Sequence, residues 1–464
     1  MSYDVVILGS GPGGYTAAVR AGQYGLKTAL VEKRARLGGT CLLVGCVPTK
    51  ALLHAAELWR SLQEAAADGI HAENFRLDFA RIIERKNEIV GQHSRGIEFL
   101  MQKNKVEVIR GEGTLEGGGR VAVRNAGGTR ILEARAVIVA TGSEARLLPG
   151  LTPDPERILT NVEILELQRP PHSLVVVGAG AVGVEFASMF HRFGTRVTLL
   201  EMLPRILPLE DADVSRELER VFKRSGIRVE TGARVERVET TETGVRVTAL
   251  LAGGQPETFE AEKVLIGVGR RPNTEGIGLE NTRVRLERGL IPVDQRQRTA
   301  EPGVYAIGDV VLGTPQLAHV AARQGLVAVA DIAGKPAEPV NPRQIPSCVY
   351  TEPGVASVGL TEEQARAQGY KVRVGKFGFR PNSMATILRR HEGFVKVVSE
   401  ERYGEILGVH IIGPKAYELI GEAVAAMAAE ATVETMMNTI HAHPTLYETL
   451  GEAFNAVYGL AINA

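Results

Sequence analysis

The 464-residue sequence predicts an α/β chain: two doubly wound nucleotide-binding units followed by an α+β unit. Three observations predict it. A glycine-rich fingerprint occurs twice at matching spacing, short apolar runs alternate with helical stretches, and the pattern changes character near Arg343. The length agrees, since a prior of about 150 residues per domain gives roughly three domains. Hydrophobic residues make up 44% and charged residues 23%, the proportions of a globular chain with a large core. The 54 basic residues balance the 54 acidic ones, which argues against a nucleic-acid partner, because phosphate neutralisation needs a cationic excess. No run of about 18 apolar residues marks a membrane span. Residues 1–4 lack the basic region of a secretory signal, so a cytoplasmic protein is expected.

The elements follow in order. Tyr3-Asp4-Val5-Val6-Ile7-Leu8 reads as a buried strand and runs into Gly9-Ser10-Gly11-Pro12-Gly13-Gly14. Residues 15–24 are helical in pattern, and Thr28-Ala29-Leu30-Val31 is a second strand ending at Glu32. The pattern returns at 174–177, through Gly178-Ala179-Gly180-Ala181-Val182-Gly183 and a helical stretch, to Val197-Thr198-Leu199-Leu200 and Glu201. Gly9 to Glu32 and Gly178 to Glu201 both span 23 positions. One GxGxxG alone is weak. Two, each between a strand and a helix with an acid at the right distance, indicate Rossmann-like dinucleotide-binding units. The first glycine makes the turn, the second admits the pyrophosphate, and the third lets helix and strand pack. The helix N-terminus turns free N–H groups to the phosphates.

Each unit closes on a further strand, at 137–143 and 264–269. From acid to closing glycine is 110 positions in the first unit and 68 in the second, so the first carries 42 extra residues. That insertion holds the only close cysteine pair. A strand at 303–307 ends in Gly308-Asp309, and beyond Arg343 alternating strands and a helix over 416–430 predict the α+β unit. Linkers are expected near Pro149-Gly150, near Arg271-Pro272-Asn273 and over 336–342. The expected domains are 1–144, 145–272, a segment 273–342 that completes the first domain, and 343–464.

Cys41 and Cys46 are the chemistry-bearing pair. On a regular helix they would point about 140° apart, so bridging them needs an irregular turn, which Gly45 permits. A close pair in a cytosolic protein is redox-active or metal-binding more often than structural. No further Cys or His stands nearby to complete a metal site, so a redox pair is favoured over a metal site and over inert thiols. Cys348, alone in an apolar strand, reads as a small core residue. Lys50 lies one helical turn after Cys46. His443 and Glu448 fit either a surface cluster or a general base with its orienting carboxylate.

Together these residues resemble the flavoprotein disulfide reductase family, and within it the branch that oxidises protein-bound dihydrolipoyl groups. The resemblance covers nearly the whole chain. It runs through both fingerprints, the Cys-x4-Cys followed by Pro48 and Lys50, and Ala140-Thr141-Gly142-Ser143. It continues through Gly269-Arg270-Arg271-Pro272-Asn273, Ile307-Gly308-Asp309, Leu317-Ala318-His319, Tyr350-Thr351 and His443-Pro444-Thr445.

The resemblance implies FAD and NAD as cofactors. Gly9, Gly11, Gly14 and Glu32 would hold the adenosine diphosphate part of FAD. Thr40, Lys50, Gly113, Thr141, Gly142, Ser143, Asp309, Leu317, Ala318 and His319 would be its further contacts. Gly178, Gly180, Gly183, Glu185, Glu201 and Gly269 would serve NAD, with Glu185 also pairing with Lys50. Cys41, Cys46, Lys50, His443 and Glu448 would be catalytic, with no metal. Cys41 would meet the substrate and Cys46 the flavin. The C-terminal domain would be a homodimer interface, and the partner would be the lipoyl domain of a 2-oxo acid dehydrogenase complex.

Among rivals, a mercuric reductase would show a C-terminal cysteine pair, and nothing after Cys348 is Cys. A glutathione reductase would have basic residues at Glu201. A non-catalytic flavin-binding component is the rival of another class. The chain departs from the family pattern at Leu43, usually Asn, at Gly354, usually Glu, and at Met384, usually Arg.

Overall fold

The computed structural model describes residues 2–463. Its first sheet is built on Ser2–Leu8, flanked in parallel by Thr28–Glu32 and Gly128–Val139. Glu107–Arg110 extends it beyond Thr28–Glu32, and Val304–Ala306 pairs with Gly128–Val139 on the other side. Val5, Val6, Ile7 and Leu8 are all buried. That is why this strand is a continuous apolar run: both faces of a parallel sheet are covered. Pro12–Gln23 and Ala318–Ile332 supply buried residues to the cover on one face.

The second sheet repeats the plan. Ser173–Val177 lies between Arg196–Glu201 and Lys263–Ile266, all parallel. The registers match: Leu8 faces Val31 and Val139, and Val177 faces Leu200 and Ile266. Each glycine loop therefore leaves its sheet at a switch point, where strands on either side lead away in opposite senses.

Arg270–Pro272, at an expected linker, crosses between the two nucleotide-binding units and pairs antiparallel with Ser143–Ala145. The two chain crossings thus satisfy each other's backbone groups. Cys348 packs against the C-terminal core without being fully buried. It is half-buried in Ser347–Val349 and lines the main cavity.

The C-terminal domain is an antiparallel sheet in the order Ser347–Val349, Gly354–Gly359, Ile406–Gly413, Phe394–Glu400, Val372–Gly378. Ala416–Ala428 and Tyr447–Ala456 pack their apolar faces into its core. By length and composition, Gly39–Asp68 could cross a membrane. Here it is broken at Gly45, carries the half-buried ion pair of Lys50, and sends Leu52, Leu53 and Ala56 into the core.

Candidate active site

The two glycine loops are built alike. Gly9 and Gly178 have φ of +102° and +98°, and a Cβ on them would lie 2.3 Å from Ala140 O and 2.5 Å from Gly267 O. A Cβ on Gly14 or Gly183 would lie 1.9 or 1.8 Å from the carbonyl of the first glycine. Gly11 and Gly180 face open space and start helices that have no side-chain cap. Their free N–H groups fit a pyrophosphate. Glu32 accepts from Ser10 N and Arg34 N at 3.0 and 2.8 Å. Glu201 accepts from Ala179 N and Leu203 N at 2.6 and 2.9 Å. Both acids thus clamp their own loops, a role that the spacing argument did not include.

A cavity of about 1100 Å³ opens from the first loop. Gly9, Gly11, Glu32, Thr40, Gly113, Thr141, Gly142, Ser143, Asp309, Leu317, Ala318 and His319 line it, as do Cys41, Cys46, Lys50 and Glu185. Gly14 lies behind it, where helix and strand touch. Gly178, Gly180, Gly183, Glu201 and Gly269 belong to the second unit and do not line it.

Ser143 donates to Asp309 and receives Arg270 Nε at 2.6 Å. Arg270, whose burial pulls its guanidinium below the usual range, was missed as a site residue. Its place in Gly269-Arg270-Arg271-Pro272-Asn273, beside a phosphate-binding unit, was the available signal. The bare helix N-terminus, the open glycine and this polar cluster in one long cavity fit FAD.

The helix Gly39–Val44 ends before Gly45, and a new helix begins at Cys46. This break brings the two thiols, both free, beside each other. The neighbouring Cys41 thiol lowers Cys46 to about 7, against burial and with help from Lys50. The neighbouring Cys46, with burial, pushes Cys41 up. Cys46 also stands at an uncapped helix N-terminus, which favours an anion. Of the two, Cys46 is the better placed to carry a negative charge.

Lys50 Nζ sits 2.7 Å from Glu185 Oε2, across 135 positions of sequence. Glu185 is 8% exposed and also accepts from Tyr350 N at 3.0 Å.

His443 Nδ1 lies 2.7 Å from Glu448 Oε1. Burial opposes ionisation of Glu448, but the His443 ring and the Thr445 N–H hold its carboxyl below the usual range. His443 is 71% exposed and does not line the cavity. Within one chain it is not brought to the cysteines.

Residues 3–325 match the family model for pyridine nucleotide-disulphide oxidoreductases, and residues 345–454 match that family's dimerisation domain. The chain is 48% identical to dihydrolipoyl dehydrogenase 3 of Pseudomonas aeruginosa over 465 residues, 99% of each chain. It is 44% identical to the dihydrolipoyl dehydrogenase of Bacillus subtilis over 471 residues, again 99% of each. The crystal structure of LpdA from Mycobacterium tuberculosis superposes with a TM-score of 0.90 at 33% identity, covering 97% of this chain and 98% of that one. Two glycine loops, a thiol pair in the cavity and these matches along almost the whole length agree: the chain belongs to the pyridine nucleotide-disulphide oxidoreductase family.

Proposed function

We propose that this oxidoreductase is a dihydrolipoyl dehydrogenase: it oxidises a protein-bound dihydrolipoyl group and reduces NAD+ to NADH. In this role it is the E3 component of a 2-oxo acid dehydrogenase complex, and its partner is a lipoyl domain. The observation that carries the reading is the adjacent Cys41–Cys46 thiol pair, opening into the same cavity as the first glycine loop and Lys50–Glu185. A cysteine pair that cycles between dithiol and disulfide suits a reducing, cytoplasmic setting.

His443, oriented by Glu448, takes a proton from one substrate thiol. The substrate thiolate attacks Cys41 Sγ, the Cys41–Cys46 bond breaks, and Cys46 leaves as a thiolate. The second substrate thiol closes on the first sulfur, releasing Cys41 as a thiol and the substrate as a disulfide. Two electrons then reside on the cysteine pair. Lys50, held by Glu185, keeps a positive charge beside the Cys46 thiolate. Ser143, Asp309 and Arg270 would hold FAD, which when bound relays the electron pair onward to NAD+.

Anaerobic titration with dihydrolipoamide tests this. A long-wavelength thiolate-to-flavin band is expected as two electrons enter, absent in Cys46→Ser. A band that survives in Cys46→Ser and vanishes in Cys41→Ser reverses the assignment. No reduction of the wild type by the dithiol sinks the function.

A further inference from the structure

Tyr350 and Tyr417 form a stacked pair on the wall of the redox cavity, and the chemistry above leaves Tyr417 without a role. Their ring centroids are 4.6 Å apart and their planes are inclined by 25°. The Tyr350 ring also carries the Lys50 ammonium, 4.3 Å from its centroid. The backbone N–H of Tyr350 donates to Glu185, the carboxylate that grips Lys50. Lys50, Glu185 and Tyr350 thus form a closed group, and Tyr417 is the wall against which Tyr350 rests.

The Tyr417 ring packs directly beside Gly354. A Cβ on Gly354 would meet Tyr417 Cδ1 and Cε1 at 3.4 Å and Gly413 O at 3.3 Å. A longer side chain would compete for the place of the ring. Gly354 is one of the positions where this chain departs from the family pattern, which has Glu there. The missing side chain at 354 and the large ring at 417 are therefore complementary.

The charged and titratable surroundings are defined. Cys46 is faced by Cys41, Lys50, Glu185 and Arg270. Cys348 faces Lys50 and Glu185, and Glu418, next to Tyr417 on its helix, faces Tyr350. Lys50 favours the Cys46 anion, whereas Glu185 opposes it. The position of Lys50 between them decides the balance.

We propose that Tyr417 is a positioning residue for the redox pair: seated beside Gly354, it holds Tyr350 under Lys50 and so keeps the lysine charge on Cys46. This rests on the reading of Cys46 as the thiolate of the reduced enzyme.

The test is the pH profile of the long-wavelength thiolate-to-flavin band in the two-electron-reduced holoenzyme, which reads the Cys46 thiolate directly. In the wild type the band should appear with an inflection near pH 7. Tyr417→Phe keeps the ring and should keep the profile. Tyr417→Ala should raise the inflection by about half a pH unit or more, toward the ordinary thiol value. Gly354→Leu should raise it likewise with Tyr417 intact, and decides the matter alone should Tyr417→Ala fail to fold. The inference is overturned when these variants leave the profile in place while Lys50→Met moves it, or when Phe moves it as far as Ala. A band that survives in Cys46→Ser overturns the underlying thiolate reading instead, so the two failures are distinguishable.

Discussion

Glu201 shows how much one carboxylate can decide. It ends the second strand of the NAD unit and is fixed by two backbone N–H groups, so its negative charge cannot swing away. A ribose 2′-hydroxyl can donate to such an acid. A 2′-phosphate would meet like charge, costing on the order of 1–4 kcal/mol at about 4 Å. Arg205, four positions on, could offset that repulsion, but its guanidinium is engaged by Glu363 at 3.1 Å. Cofactor preference should therefore favour NAD over NADP by at least about fivefold in kcat/KM. Equal values for the two cofactors would contradict it. Glu201→Ala should narrow the ratio.

Single elements explain what the sequence could and could not reveal. The strand–glycine–helix units were legible because all their determinants are local: an apolar run, three glycines and an acid within 23 positions. The thiol pair was legible for the same reason, and Gly45 as its hinge. The strand pairing of Arg270–Pro272 was not legible, because its partner lies 127 positions away and nothing local signals it. The Tyr350–Tyr417 stack joins a loop to a helix and has no periodic trace. Lys396 is another such case. It looks like an ordinary polar interruption of an apolar strand, yet its Nζ is buried against Asp211 at 3.0 Å, Asp213 at 3.1 Å and Glu362 at 2.9 Å. Asp211 also caps the helix Ala212–Ser225, so one cation ties an NAD-unit helix to the C-terminal sheet. Burial alone would raise the Asp211 carboxyl, but His410 and Lys396 over-compensate and hold it low. The hydrogen bond from Lys396 lowers Glu362 as well. Depressed carboxylates stabilise the fold above their unfolded values of about 4, and that stability is lost as pH falls through their folded values. Lys396→Met should cost about 3–5 kcal/mol near neutral pH, because buried carboxylates lose their cation. In acid the difference in Tm between variant and wild type should shrink. A constant difference from pH 3 to 7 would show that the lysine acts through packing alone.

At the scale of the whole molecule, one chain keeps the cysteine pair and His443 apart. The cysteines open into the cavity between the nucleotide-binding units, whereas His443 projects from the C-terminal domain beyond its lining. Its neighbour Ile440 is 97% exposed, an apolar side chain that a single chain leaves in water. The C-terminal domain is the family's dimerisation domain, so the protein is a homodimer. The His443–Glu448 pair is already formed in one chain, with the carboxylate on Nδ1 and Nε2 left to take a proton. What the second subunit would supply to this histidine is therefore the cysteine pair alone. His443→Gln should slow dithiol oxidation by about 10²–10⁴-fold, the usual loss for a general base. NADH oxidation by an artificial flavin oxidant should persist, since that path bypasses the dithiol. The trans arrangement has its own measurement. Cys46→Ser and His443→Gln homodimers should both be inactive toward dihydrolipoamide. A heterodimer of the two variants has one intact composite site only when cysteine and histidine come from different chains. Separately tagged subunits, mixed and purified through both tags, should then recover up to half of the wild-type activity per dimer, because one of the two sites is whole. Confirmed heterodimers with no dithiol activity would place both groups in one chain and require the His443 segment to fold inward.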